Sequence, residues 1–123
     1  MGQVDRPAAT MISETRVPTA HASRYIQRLC KHWSHNSAVE YDALHGKIVI
    51  PWNARGASWP ADAIVRMDAM PGMLVCRVEA AAAEQLAVLK HAVQEHLNRF
   101  AFREGSLRFD WVEKPATLAD VDA

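Results

Sequence analysis

Leu86, Leu89, Val93, Leu97 and Phe100 recur at steps of three and four residues, which lines them along one side of a helix over about 81–102. A helix that long with a single apolar stripe must bury that stripe, so the rest of the chain has to supply a partner surface. The residues before it read as that surface. Ala38 to Tyr41 and Lys47 to Pro51 form one expected hairpin around residues 42–46, where Gly46 is expected to take the left-handed conformation of such a loop. Ile64 to Ala69 and Met73 to Glu79 form a second, turning at Met70-Pro71-Gly72. Trp52 to Ala63, with Gly56, Pro60 and two tryptophans, reads as a long loop between them. Met11 to Val17 is an expected strand ended by Pro18, and Thr19 is the expected N-cap of a first helix over 20–35. After Gly105, Leu107, Phe109 and Trp111 alternate with Arg108 and Asp110 as an expected half-buried last strand. The order βαββββαβ predicts an α+β two-layer sandwich: a mostly antiparallel sheet with two helices on one face. A ferredoxin-like variant and a helix-grip or TATA-binding-protein-like half both fit that order.

The chain has 123 residues, enough for one domain that buries roughly two thirds of its unfolded surface without staples. That domain is expected over residues 11–112, with a disordered extension at 1–10 and a polar, acidic tail at 113–123. Cys30 and Cys76 fall in unrelated patterns without the close spacings of a disulfide scaffold or a zinc ribbon, so both are expected as reduced thiols of a cytoplasmic protein. Formal charge is zero, so bulk electrostatics gives no pull toward nucleic acid or an anionic membrane. No apolar run approaches the ~20 residues of a membrane span.

Charge is nevertheless segregated. Between Glu14 and Glu40 there is no carboxylate, while Arg16, His21, Arg24, Arg28, Lys31, His32 and His35 all fall there. On a helix, His21, Arg24, Arg28, Lys31, His32 and His35 share an arc of roughly 100°, and Ala22, Tyr25, Ile26, Leu29, Cys30 and Trp33 fill the neighbouring one. Lys31, His32 and His35 near the helix end are explained by the helix dipole alone. His21 and Arg24 are not, because positive charge is disfavoured in a first turn. Arg16, His21, Arg24 and Arg28 are therefore the candidate ligand-binding residues, suited with the free helix N–H groups to phosphate or carboxylate. The alternative is pairing with distant acids such as Glu14, Glu40, Glu79 or Asp110.

Two blocks, from Thr19 through His35 and from His96 through Glu104, followed by Trp111, resemble the signatures of the bacterial domain of unknown function 2218. The resemblance covers roughly residues 11–112. It departs at Asn36, where that family commonly has lysine, and in the longer loop from Trp52 to Ala63. It implies a small cytoplasmic bacterial protein with no assigned activity, and an association with siderophore-interacting flavin reductases that points toward iron handling.

Cys30, His32 and His35 have ligand-like spacing, but on a helix Cys30 projects about 160° from His32, so only His32 and His35 are metal candidates. His96, beside Arg99 and Arg103, is a second candidate, weighed against a hydrogen-bonded histidine at the core edge. Trp52 and Trp59, with Arg55 and Gly56 between them, are candidate lid residues over a planar ligand, weighed against plugging the core. There is no Gly-rich phosphate loop, GxSxG elbow, HExxH or close carboxylate pair. The resulting expectation is a non-enzymatic binding or accessory module for an anionic ligand or iron chelate. Its alternatives are a metal-dependent or redox enzyme using His32 and His35, and a structural domain forming a homodimer.

Overall fold

The computed structural model describes residues 11–114, so the extension at 1–10 and the tail beyond Lys114 lie outside the described residues. Eight elements follow in order: β1 (Met11–Pro18), α1 (Ala22–Trp33), β2 (Ala38–Tyr41), β3 (His45–Ile50), β4 (Ala63–Met70), β5 (Met73–Ala80), α2 (Ala83–Phe100) and β6 (Val112–Lys114). The strands form one sheet in the order β2-β3-β4-β5-β1-β6, and every pairing is antiparallel. Chain-adjacent strands pair from β2 through β5, and β1 then inserts between β5 and β6.

Strand alternation decides which side chains meet the helices. Val65 and Met67 of β4 and Leu74, Cys76, Val78 and Ala80 of β5 are buried on one face. α1 packs on that face over β3 and β4, and α2 over β5 and β1. The helices contribute Tyr25, Ile26 and Leu29 from α1 and Leu86, Val93 and Leu97 from α2, joined into one core cluster. The α2 stripe thus behaves as its periodicity predicts.

α1 approaches the sheet closely at one point. A Cβ added at Gly46 would lie 2.9 Å from both Cys30 Sγ and Ile26 Cγ2, so the side-chain-free position in β3 seats the helix. The expected left-handed role of Gly46 is therefore corrected, because it sits inside β3, paired with Met67. Asp42 closes that hairpin loop instead, its Oδ1 accepting the N–H groups of Leu44 and His45 at 2.8 Å. Gly72 does take a left-handed backbone (φ 68°) behind Pro71, as a type II turn requires.

The last strand is displaced from its expected position. Residues 107–111 form no ladder, and β6 begins at Val112. Leu107 is buried and Phe109 and Trp111 are half-buried, so the alternation is real, but side chains rather than a strand take the polar groups. Asn98 Oδ1 accepts the Leu107 N–H, Thr15 Oγ1 accepts the Asp110 N–H, and Trp111 Nε1 donates to Gln94 Oε1. Glu113 and Lys114, expected in the tail, pair with β1. Ser13, Thr15, Thr19 and Gln85 are buried polar side chains, and each bonds a distant segment.

Candidate functional site

α1 begins on the basic segment with no acidic residue in its first turn. Its N-cap residue is His21 rather than the expected Thr19, and no side chain caps the helix. Thr19 acts one step earlier: its Oγ1 accepts the His21 N–H at 3.0 Å and donates to the Glu104 carboxylate at 2.9 Å. The Tyr25 hydroxyl donates to the same carboxylate. Glu104 lies in the turn that follows α2, where its N–H is held by the Ala101 carbonyl. The acid that the first turn of α1 lacks thus arrives from the far end of the chain. Burial and Glu104 push the Tyr25 pKa up to about 12, so its hydroxyl remains a donor at neutral pH.

Around this junction is a cavity of about 450 Å³, walled by His21, Arg24, Tyr25 and Arg28 of α1 and by Phe100, Ala101, Phe102, Arg103 and Glu104 after α2. A second hollow runs along the outer side of the same turns, past Ser23 and Gln27, so His21, Arg24 and Arg28 stand between two concave surfaces. The Arg28 guanidinium lies 5.1 Å from the Phe100 ring centroid, and that of Arg103 lies 5.6 Å from Phe102. Phe102 is 72% exposed at the rim. Among the described residues, no ion pair involves His21, Arg24, Arg28 or Arg103.

The structure brings together only part of the expected set. Arg16 follows buried Thr15 and precedes buried Val17, so it points from the opposite sheet face, 3.5 Å from Glu14. His35 lies beyond the end of α1, in the turn that follows it. His32 instead meets His96 of α2, ring centroids 5.0 Å apart, in a cluster with Trp33 and Phe100. His96 donates from Nδ1 to the Ala92 carbonyl at 2.8 Å. Its pKa is lowered, chiefly by burial and further by the charges of His32, Arg99 and Arg55. Among the described residues, no group of three or more His, Cys, Asp or Glu side chains is arranged to hold a metal. Cys30 and Cys76 are buried free thiols, pushed by burial up to about 11 and about 12. Trp59 is half-buried against a separate pocket, and Trp52 is 47% exposed outside it.

Sequence reasoning missed Glu104, Tyr25 and Arg103, because nothing local says that the turn after α2 meets the start of α1. It also missed His45, whose Nδ1 lies 2.6 Å from Asp68 Oδ1 across the β3–β4 register. No helix among the described residues is long and apolar enough to cross a membrane.

The family model described as "Uncharacterized protein conserved in bacteria (DUF2218)" matches residues 14–112. No curated protein matches the chain. The solution structure of PA4090 from Pseudomonas aeruginosa is similar at 28% identity and a TM-score of 0.61, covering 86% of this chain and 97% of that one. The family match takes in β2 to β5, most of β1, both helices and every wall of the cavity, and the chain belongs to the DUF2218 family of bacterial proteins.

Proposed function

We propose that this protein is a non-enzymatic binding module that holds a small anion in the cavity between the start of α1 and the turn after α2. One observation carries the reading: Arg24, Arg28 and Arg103 converge there with His21 and a single carboxylate, Glu104. Three guanidinium groups against one carboxylate leave an excess of two positive charges before His21 is counted. That balance favours a ligand with two or more negative charges, such as phosphate, a di- or tricarboxylate, or an anionic ferric chelate. The Phe100 and Phe102 rings give the same cavity an apolar side. A redox reading has less support, since both thiols are buried and their pKa values are raised away from the thiolate.

Amide chemical shifts followed during titration with phosphate, citrate and ferric citrate test the proposal. The expected perturbations fall on residues 21–28 and 100–104, and they weaken with added salt because exposed charges are screened over ~8 Å at physiological ionic strength. If all three anions leave those residues unmoved at millimolar concentration, the basic surface is a solvated helix end and the proposal fails.

A further inference from the structure

A second cavity of about 530 Å³ lies on the other side of the His32–His96 cluster, beneath the loop joining β3 to β4. Its size is in the usual range of small-molecule sites, roughly 300–1,000 Å³. The walls are aromatic and aliphatic: Trp33 from the end of α1, Trp59 from the loop, and Val88, Leu89 and Ala92 from α2. Val88 is 55% exposed, an apolar side chain left open on the helix inside this concavity. The loop is tied at its base, since Asp62 Oδ1 accepts the Trp52 N–H at 2.8 Å and Gln85 Nε2 donates to the Ala61 carbonyl at 3.0 Å.

Arg55 stands at the mouth. Its φ of 57° is the one positive value at a non-glycine residue among those described, within the short helical turn Ala54–Gly56. Such a backbone is unfavourable for a residue with a side chain and persists where the surroundings enforce it. Among the described residues Arg55 makes no ion pair. Asn36 and Asn53 complete a polar rim.

We infer that this cavity is a binding site for a flat, largely apolar molecule bearing one acidic group, with the ring system between Trp33 and Trp59 and its carboxylate or sulfonate on Arg55. Two aromatic walls suit a planar face, and one unpaired guanidinium at the mouth suits one anion. The site differs in kind from the basic cavity, which gathers several cations around a smaller apolar surface.

The test uses the full chain with 2-naphthoate as the probe and 2-naphthamide as its uncharged counterpart. Chemical-shift mapping should place 2-naphthoate on the Trp33 and Trp59 indole N–H groups and on residues 53–57 and 88–92. The amide should bind about tenfold more weakly, the loss of one charge-assisted hydrogen bond. Arg55→Gln, at an exposed position, should remove the difference between acid and amide while leaving amide binding intact. Equal binding of acid and amide to the wild type overturns the inference. So does perturbation confined to residues 21–28 and 100–104, which assigns the probe to the basic cavity instead. The absence of shifts at Trp33 and Trp59 up to millimolar probe overturns it as well. None of these outcomes bears on whether phosphate or citrate occupies the basic cavity.

Discussion

Single residues set the tolerances of this domain, and Gly46 has the least room. An added methyl group would press on Ile26 and Cys30, both buried and short, so neither can swing aside. Gly46→Ala should destabilise the protein by about 1–3 kcal/mol through overpacking, measured by chemical denaturation. A change below about half a kcal/mol would show that α1 is free to lift from β3. Two histidines should respond to pH in opposite directions. Burial favours neutral His96, so the unfolded chain takes up the proton first. Its contribution to stability is fully present above ~6.5 and is lost as pH falls through the lowered folded value. His45 has its pKa raised, first by the hydrogen bond to Asp68, so its contribution is present at low pH and lost as pH rises through that raised value. Melts of His96→Gln between pH 7.5 and 5 should therefore be flatter than those of the wild type. Equal slopes would mean that His96 is solvated in the fold.

At the scale of elements, periodicity carried most of the information. The α2 stripe, the α1 arc and the Pro71-Gly72 hairpin were legible because each pattern is local and repeats over several turns or strand pairs. The final strand was not. Alternation from Leu107 to Trp111 reports that every second side chain is covered, and coverage by α2 and β1 gives the same pattern as pairing in a sheet. What distinguishes the two is where the N–H groups go, and those bonds run to Asn98 on α2 and to Thr15, at the other end of the chain, rather than along a strand. The face taken by Arg16 was unreadable for a related reason. β1 carries Ile12 and Val17, of opposite parity, and both are buried. Thr15→Val tests this part of the fold. Removing the acceptor of the Asp110 N–H should cost about 1–3 kcal/mol and speed amide exchange at residues 112–114. Unchanged exchange there would separate β6 from the Thr15 contact.

Across the whole molecule, a formal charge of zero conceals an uneven distribution. On the sheet face away from the helices, arginines lie beside carboxylates: Arg66 and Arg77 share Glu79, at 2.9 and 3.3 Å, and Arg16 approaches Glu14. The Arg77 contact is close but misaligned, so its buried Nε is left without a hydrogen bond. At the junction of α1 with the turn after α2, three arginines face one carboxylate that Tyr25 and Thr19 already hold. The basic arc of α1 was legible in the sequence. Its complement was not, because Arg103 and Glu104 reach it only through the packing of α2 across the sheet. That packing also makes Glu104 the internal competitor of any anion bound there. The most direct measurement is calorimetry of citrate binding to wild type, Glu104→Gln and the double variant Arg24→Ala/Arg28→Ala at low salt. An anion site at this junction predicts tighter binding to Glu104→Gln and about tenfold or greater weakening in the double variant. Citrate binding that is identical in all three proteins, or absent from all three, would contradict it.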